Sequence, residues 1–484
     1  RDDLVDALGD ANVIMVLSGH YHKPSVHKYR GINFVQAPSP APNGTPEVTV
    51  VRVTPDRVLA IPYDYRRAKW SENPRHILVA PISRQPTSFD FPGISFDRGF
   101  AGAKLDACRQ AETSPVVGGQ ADAGPAENTE SSPSIPEYIA ISRAENTPIN
   151  DSAWYAFKIV ADAPRRITVA LRYEGGSHRY APKISRDGQQ WTPLPAAACE
   201  VSPDRSQARL QLDVGPEPLW VAAQELITRD DIAAWSEQIA AQTEGHRTPI
   251  GQSREGRPIF KLDIGNQEAA EAVFIIGRQH PPEVTGTLGL MRFIETIAGN
   301  DRLARQFRQR FLTTVVPLVN PDGVERGYWR HSTGGIDLNR DWDKFSQPET
   351  RAVRDAMLDY QAAGSPRLRL FLDFHSTHHD VFYTSPEDDT PGAGFTSQWL
   401  GAIGDRFPGY QVRREETPLT SSKPTSMRWV YRTFDVPSIT YEWGDGTPRE
   451  QIARLARGAA EEMMRLLLAA VPADAEPSLS GAER

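Results

Sequence analysis

Ala272-Val273-Phe274-Ile275-Ile276-Gly277-Arg278-Gln279-His280-Pro281-Pro282-Glu283 is the stretch on which the reading of this chain turns. Its first six residues form an unbroken apolar, β-branched run, which predicts a strand buried on both faces. From Val284 to Ile297 apolar residues recur at helical spacing, and Gly299-Asn300 closes the pattern, as glycine and asparagine do past helix C-termini. A strand that hands over to a helix points to an open α/β sheet, where ligands bind beyond the C-terminal strand ends. His280 and Glu283 stand at that edge. An imidazole and a carboxylate three residues apart can grip one cation from one short loop. The pair suits Zn2+, which accepts N and O ligands and in catalytic sites takes three protein ligands plus water. Alone, such a pair is more often a polar loop whose Glu caps the helix.

The downstream chain supplies the missing parts. Leu368-Arg-Leu-Phe-Leu-Asp-Phe374 reads as a second buried strand, and His375-Ser376 stands at its C-terminal end, which makes His375 the natural third ligand. Val436-Pro-Ser-Ile-Thr-Tyr441 reads as a further strand delivering Glu442. A carboxylate at the end of a buried strand is costly unless it is paired or working.

In this order the residues resemble the M14 zinc carboxypeptidases, over roughly residues 248–471. The motifs that carry the resemblance are Gly251-Gln-Ser-Arg-Glu-Gly-Arg-Pro-Ile259, His280-x-x-Glu283, Asn320-Pro-Asp-Gly323, Tyr328-Trp-Arg330, Asp337-Leu-Asn-Arg-Asp-Trp342, His375-Ser376 and Tyr441-Glu442. The resemblance implies one Zn2+ per chain, held by His280, Glu283 and His375. It implies Glu442 as the general base, Arg330 as the residue that polarises the scissile carbonyl, and Asn339 with Arg340 as the anchor for a substrate carboxylate. Asp337, Asp341 and Trp342 read as loop support. Asp373 is open between backing a metal ligand and satisfying nearby backbone. His378 and His379, beyond the strand end, read as exposed or pocket-lining. The chain departs from the family at Thr420, near the position where the family carries a mobile tyrosine; Tyr431 fits a structural aromatic instead.

At 484 residues the chain is too long for one core, so two to four domains are expected. A net charge of −8 offers no basic field for nucleic acid. No apolar run reaches the length of a membrane span. Residues 1–85 begin with Arg1 inside a helical pattern and carry strand-like runs, with Gly19-His20-Tyr21-His22 after the first. That motif resembles the last metal motif of calcineurin-like metallophosphoesterases. It implies a partial α/β segment, the C-terminal remnant of such a domain, inactive without the rest of its ligands. Residues 86–135, rich in Pro, Ala, Gly, Ser and Gln, read as a flexible linker. Residues 136–225 alternate apolar and polar between turn residues and predict a small β-sandwich. Residues 226–471 form the α/β unit with a mixed sheet, and 472–484 a disordered tail. A β-module ahead of this unit resembles the cytosolic-carboxypeptidase branch of M14. Ser346-Gln-Pro-Glu349 reads as a capping box. Cys108 and Cys199 either form one bridge or remain free thiols.

The expected function is hydrolysis of the C-terminal amide bond of peptides or proteins. The alternatives are a zinc amidase acting on N-acyl amino acids or peptidoglycan peptides, and a non-catalytic peptide-binding module.

Overall fold

The structure is a computed structural model that describes residues 15–18, 24–29, 32–38, 46–53, 57–73, 76–81, 87–111, 135–145, 151–385, 394–418 and 420–470. His20 and His22, the 112–134 part of the expected linker and the expected tail 472–484 lie outside the described residues.

The C-terminal half is the expected mixed-sheet α/β unit. Eight strands run in the order His246–Gln252, Pro258–Gly265, Phe311–Val316, Glu271–Gly277, Arg367–Thr377, Ser438–Gly444, Val381–Thr384 and Arg414–Glu416. The four central strands are parallel to one another. Every residue of Glu271–Gly277 is buried, as the unbroken apolar run demands of a strand covered on both faces. One face is covered by the helices Val284–Ile297, Phe395–Arg406 and Arg449–Ala469, whose Phe293, Trp399 and Met463 join the larger core. The other face packs Trp342, Val353 and Val430 against Phe274 and Phe371. From Glu271–Gly277 the chain crosses to Phe311–Val316 on one side and later to Arg367–Thr377 on the other. Strand order therefore reverses at the strand that leads to His280, and such reversals open a crevice at the C-terminal strand ends.

Two expected details are corrected. Pairing continues to Thr377↔Gly444, so His375 and Glu442 lie within their strands and not past them. The helix Pro348–Leu358 is not capped by Ser346 and Glu349. Its N-cap is Gln347, with no side-chain cap bond. Asp341 instead accepts the Ser346 and Gln347 backbone N–H groups at 2.9 and 2.8 Å, while Glu349 accepts the Arg254 N–H at 2.9 Å.

Ahead of this unit lies a β-sandwich of two sheets. One runs Ala107–Gln110, Glu137–Arg143, Arg165–Glu174, Gln207–Val214, Cys199–Val201. The other runs Thr192–Pro193, Lys183–Ser185, Leu219–Ala222, Ala156–Ala161, Ile94–Asp97, Ser88–Phe91. Residues 87–111 thus belong to the sandwich, a correction to the linker expected over 86–135. Phe89-Asp-Phe91 and Ile94-Ser-Phe96-Asp97 alternate about the turn at Gly93, where φ is +74°. Phe96 is packed among Tyr138 and Phe157 in the sandwich core. Averaging composition over fifty residues hid this hairpin. The sheet order also excludes a bridge between the cysteines. Cys108 and Cys199 sit on opposite edge strands with three strands between them, about 19 Å at ordinary strand spacing; a disulfide needs Cα atoms within about 7 Å. Both are free, and burial pushes the Cys108 thiol up to about 12.

The described part of residues 1–85 forms two small sheets that share Val35, Val58, Ala60, Leu78 and Ala80 as a core. No helix among the described residues is long and apolar enough to cross a membrane.

The helix Val284–Ile297 lies close against the strands that carry the site. A Cβ at Gly286 would come within 2.4 Å of the His375 carbonyl oxygen, and one at Gly289 within 2.1 Å of Trp443 Nε1. Gly286→Ala should therefore cost about 1–3 kcal/mol by overpacking and, because it pushes on His375, lower metal retention. Gly401→Ala, in open space on another helix, should be neutral or slightly stabilising. Thermal unfolding and metal content of the two variants check this; an unchanged Tm in Gly286→Ala would show that the helix can move off His375 freely.

Candidate metal and catalytic site

The loop after Glu271–Gly277 is built to converge. Arg278 leaves the strand at φ +57°, a conformation that costs a non-glycine residue about 1 kcal/mol or more and is kept where structure over-determines it. Its buried guanidinium donates to Pro281 O at 2.6 Å and Thr287 Oγ1 at 2.9 Å, tying loop to helix. Pro281-Pro282 restricts the backbone further. Glu283 stands at the N-cap position but makes no side-chain cap bond, so the capping reading of His-x-x-Glu does not hold here.

Both Glu283 oxygens face imidazoles instead. Oε1 lies 2.7 Å from His280 Nδ1 and Oε2 lies 2.7 Å from His375 Nδ1. The far nitrogen of each ring meets an aspartate. His280 Nε2 is 2.9 Å from Asp337 Oδ1, and His375 Nε2 is 2.9 Å from Asp373 Oδ2. A carboxylate behind an imidazole fixes its tautomer and raises its basicity, the usual arrangement behind metal-ligating histidines. Each Nδ1 is thereby aimed at Glu283. The three donor atoms lie within 4.8 Å of one another.

The charges explain why a cation belongs there. Contacts of 2.7 Å between Nδ1 and a carboxylate oxygen are hydrogen bonds and need a proton between the two atoms. Burial opposes charge on His375, but Asp373 and Glu283 outweigh it and hold the ring well above the usual histidine range. His280 is likewise raised, against burial, by Glu283 and Asp337. Burial pushes Glu283 upward, yet the two imidazoles bring it far below the ordinary carboxylate range. Without metal, two protons hold the cluster together; a dication can replace both. Two imidazole nitrogens and one carboxylate form a donor set that fits Zn2+ and leaves a position open.

Glu442 lies beside this cluster. Its Cα pairs directly with that of His375 across the parallel strands. Its Oε2 is buried without a hydrogen-bond partner among the described residues. Burial pushes its carboxyl up to about 7, against the pull of His375. Arg330 donates from Nε to Asp337 Oδ2 at 2.7 Å, so Asp337 joins His280 to Arg330. That is more than the loop support read for it. Asp373, left open from sequence, backs His375 and also accepts from Gln279 Nε2 at 2.7 Å and from Ser426 Oγ. Asn339 is buried, with Oδ1 taking the Ser426 N–H at 3.0 Å and Nδ2 3.4 Å from His375 Nε2. Arg340 donates to the Asn339 carbonyl at 2.7 Å and makes no ion pair among the described residues. It lines a cleft of about 570 Å³ with His331, Ile336, Asp337 and Pro424, and with Lys69, Trp70 and Ile77 of the N-terminal segment. His378 and His379 are exposed and border a separate cleft with Arg413. The sequence reading missed Gln279, whose Oε1 accepts from Trp342 Nε1 at 2.9 Å; nothing but its place beside His280 signals it.

The profile of the zinc carboxypeptidase family, peptidase M14, matches residues 232–462. Cytosolic carboxypeptidase 6 of Mus musculus is 28% identical over 139 residues, 27% of this chain and 26% of that protein. Cytosolic carboxypeptidase 2 of Homo sapiens is 38% identical over 146 residues, 27% of this chain and 16% of that protein. The chain spans between about a quarter and a half of the length of the first curated relatives it matches, 26% and 54%. Among solved structures, a metallo-carboxypeptidase from Burkholderia cenocepacia superposes on 77% of this chain and 99% of its own, with a TM-score of 0.60 at 20% identity. One from Pseudomonas aeruginosa covers 77% of this chain and 98% of its own, with a TM-score of 0.58 at 19% identity. At such identity these two likenesses establish the fold.

The aspartates behind the rings carry their own test. Asp373→Asn and Asp337→Asn keep shape but weaken ring orientation and basicity, and each should raise the zinc dissociation constant about 10- to 100-fold. Competition against a chromogenic chelator measures it; unchanged affinity in both variants would mean the rings are held by packing alone.

Proposed function

Because residues 232–462 belong to the M14 zinc carboxypeptidase family, we propose that this chain is a zinc-dependent carboxypeptidase that hydrolyses the amide bond next to a free C-terminal carboxylate. The observation that carries the reading is the register His375↔Glu442, which sets a half-buried carboxylate, its Oε2 without a hydrogen-bond partner among the described residues, beside the converging His280, Glu283 and His375. Bound by those three side chains, zinc supplies Lewis acidity toward water and toward the scissile carbonyl.

The remaining steps belong to this chain's own residues. Glu442 takes the proton of the attacking water and passes it to the leaving amine, a role that suits a carboxylate with a raised pKa. Arg330, held by Asp337, donates to the carbonyl oxygen as negative charge develops; a preorganised donor of this kind contributes about 3 kcal/mol. Arg340 offers its planar fork to the terminal carboxylate, together with Asn339, whose backbone carbonyl takes a hydrogen bond from Arg340 Nη1 at 2.7 Å. The substrate is a peptide or a protein C-terminus.

Glu442→Gln keeps the shape and removes the base. Zinc should stay at about one per chain while turnover falls about 10²- to 10⁴-fold. The pH dependence follows from the same group. Glu442 must be ionised to act, so kcat/KM should rise with pH through its pKa. That pKa is about 7 before metal binds, and a nearby dication lowers it by favouring the carboxylate, so the acid limb should lie below 7. Glu442→Gln should lack that limb. Near-normal turnover in the variant would assign the base elsewhere.

Substrate polarity separates the readings. If Arg340 meets the terminal carboxylate in a closed pocket, losing that partner costs about 2–5 kcal/mol. A peptide with a free C-terminus should be cleaved far better than its C-terminal amide, and Arg340→Ala should erase most of the difference by slowing the free acid. Thr420, where the family has a tyrosine, weakens the grip on that end. Equal cleavage of acid and amide would favour the amidase on N-acyl amino acids or peptidoglycan peptides. Zinc-free protein that holds peptides uncut would favour the binding module.

A further inference from the structure

We propose that Glu145 of the β-sandwich is a positioning residue for Arg330. It lies just after the strand Glu137–Arg143 and is only 1% exposed. Its Oε1 accepts two consecutive backbone N–H groups, those of Trp329 and Arg330, both at 3.0 Å. A carboxylate is an expensive group to bury for an ordinary packing contact. Accepting two amides at once, it fixes the direction of the peptide planes on either side of the Trp329 and Arg330 nitrogens. The Arg330 side chain then leaves a backbone that cannot swing, and Asp337 orients its far end.

The surrounding contacts hold the same segment to the same module. Gly102 N–H donates to Glu325 O at 3.0 Å. A Cβ at Gly327, where φ is +62°, would come within 2.5 Å of Ala103 O. The Trp329 ring meets Tyr180 at 5.8 Å edge to face, with the Arg179 guanidinium 5.1 Å above it. Arg179 also pairs at 2.7 Å with Asp445, three residues past Glu442. The sandwich thus grips the chain beside the carbonyl-polarising arginine and beside the base. Of these contacts only that of Glu145 falls on Arg330's own backbone. Displacing a group by about 1 Å can cost about 10²-fold in rate, so a residue that never touches substrate can act through Arg330.

The inference rests on the role proposed for Arg330, and the experiment separates the two. The full zinc-loaded chain is assayed on a peptide with a free C-terminus as unmodified protein, E145A, E145Q, R330A and the double variant E145A/R330A. E145A should lower kcat about 10- to 100-fold, with KM within about twofold and zinc content unchanged. E145Q, whose Oε1 still accepts both amides, should recover most of that loss. In the R330A background E145A should cost nothing more, because there is no guanidinium left to aim. The same loss with and without Arg330 would overturn the inference while leaving Arg330 its role. Full activity in E145A would overturn it as well, and full activity in R330A would remove both. If E145A does not fold, Glu145→Asp, one methylene too short to reach both amides, replaces it in the cycle: a loss of kcat that vanishes without Arg330 supports the inference, and an equal loss in both backgrounds overturns it.

Discussion

Glu283 held between two imidazoles, each backed by an aspartate, is the arrangement on which the site depends. Four contacts of 2.7–2.9 Å link Asp337, His280, Glu283, His375 and Asp373. All are buried or nearly so. In such surroundings unpaired charges are costly and paired ones are held firmly, so no member can turn without stranding the next. The chain meets this constraint with rigid carriers. His375 lies within a central strand, and Glu283 opens a helix pressed onto that strand through Gly286. Arg278 and the two prolines leave the connecting loop little freedom.

The same logic extends outward through residues whose charges lie far from the metal donors. Asp322 accepts from Ser253 Oγ at 2.6 Å, the Glu255 N–H at 2.8 Å and Arg257 Nη1 at 2.8 Å. The Gly251–Ile259 motif is therefore a clasp on the Asn320-Pro-Asp-Gly323 turn, which follows the strand next to the site. Asp341 ends the loop that carries Asp337, Asn339 and Arg340 by seating the next helix. Acidic side chains that satisfy backbone N–H groups shape loops, and Asp322 adds an ion pair with Arg257 to that role.

The sandwich is continuous with this frame. Val284, the first residue of the helix after Glu283, belongs to the sandwich core. Arg449 reaches back to Glu225 at 2.6 Å and to Gln224 at 2.7 Å. Arg179 meets Asp445 beyond the Glu442 strand. Apolar packing and paired charges across one junction resist independent motion of the two units, whereas an interface of solvated contacts would leave them free to rotate.

The elements that local pattern controls were legible in the chain itself. The helix Val284–Ile297 has the bounds that its periodicity and Gly299-Asn300 predict, because apolar spacing reports directly which face meets the core. His280, Glu283 and His375 were legible as candidate metal donors because the buried runs that deliver them are readable and chemistry restricts which side chains stand there, although the strand that carries His375 runs on to Thr377. Residues 87–111 were legible too, in the alternation about Gly93, but a composition average hid them. What tertiary structure alone decided is where distant groups meet. Whether Asp337 faces an imidazole depends on how two loops lie, and no spacing encodes that; Asp373 shares a strand face with His375 two residues on, but its contacts with Gln279 and Ser426 come from other segments. Asp341 seating a helix in place of Ser346, the two cysteines with three strands between them, and Glu145 reaching Arg330 across 185 positions are of the same kind. Sequence pattern determines which segments must be buried and which residues can do chemistry; only packing assigns each buried polar group its partner, because that partner is set by geometry between segments and not within one.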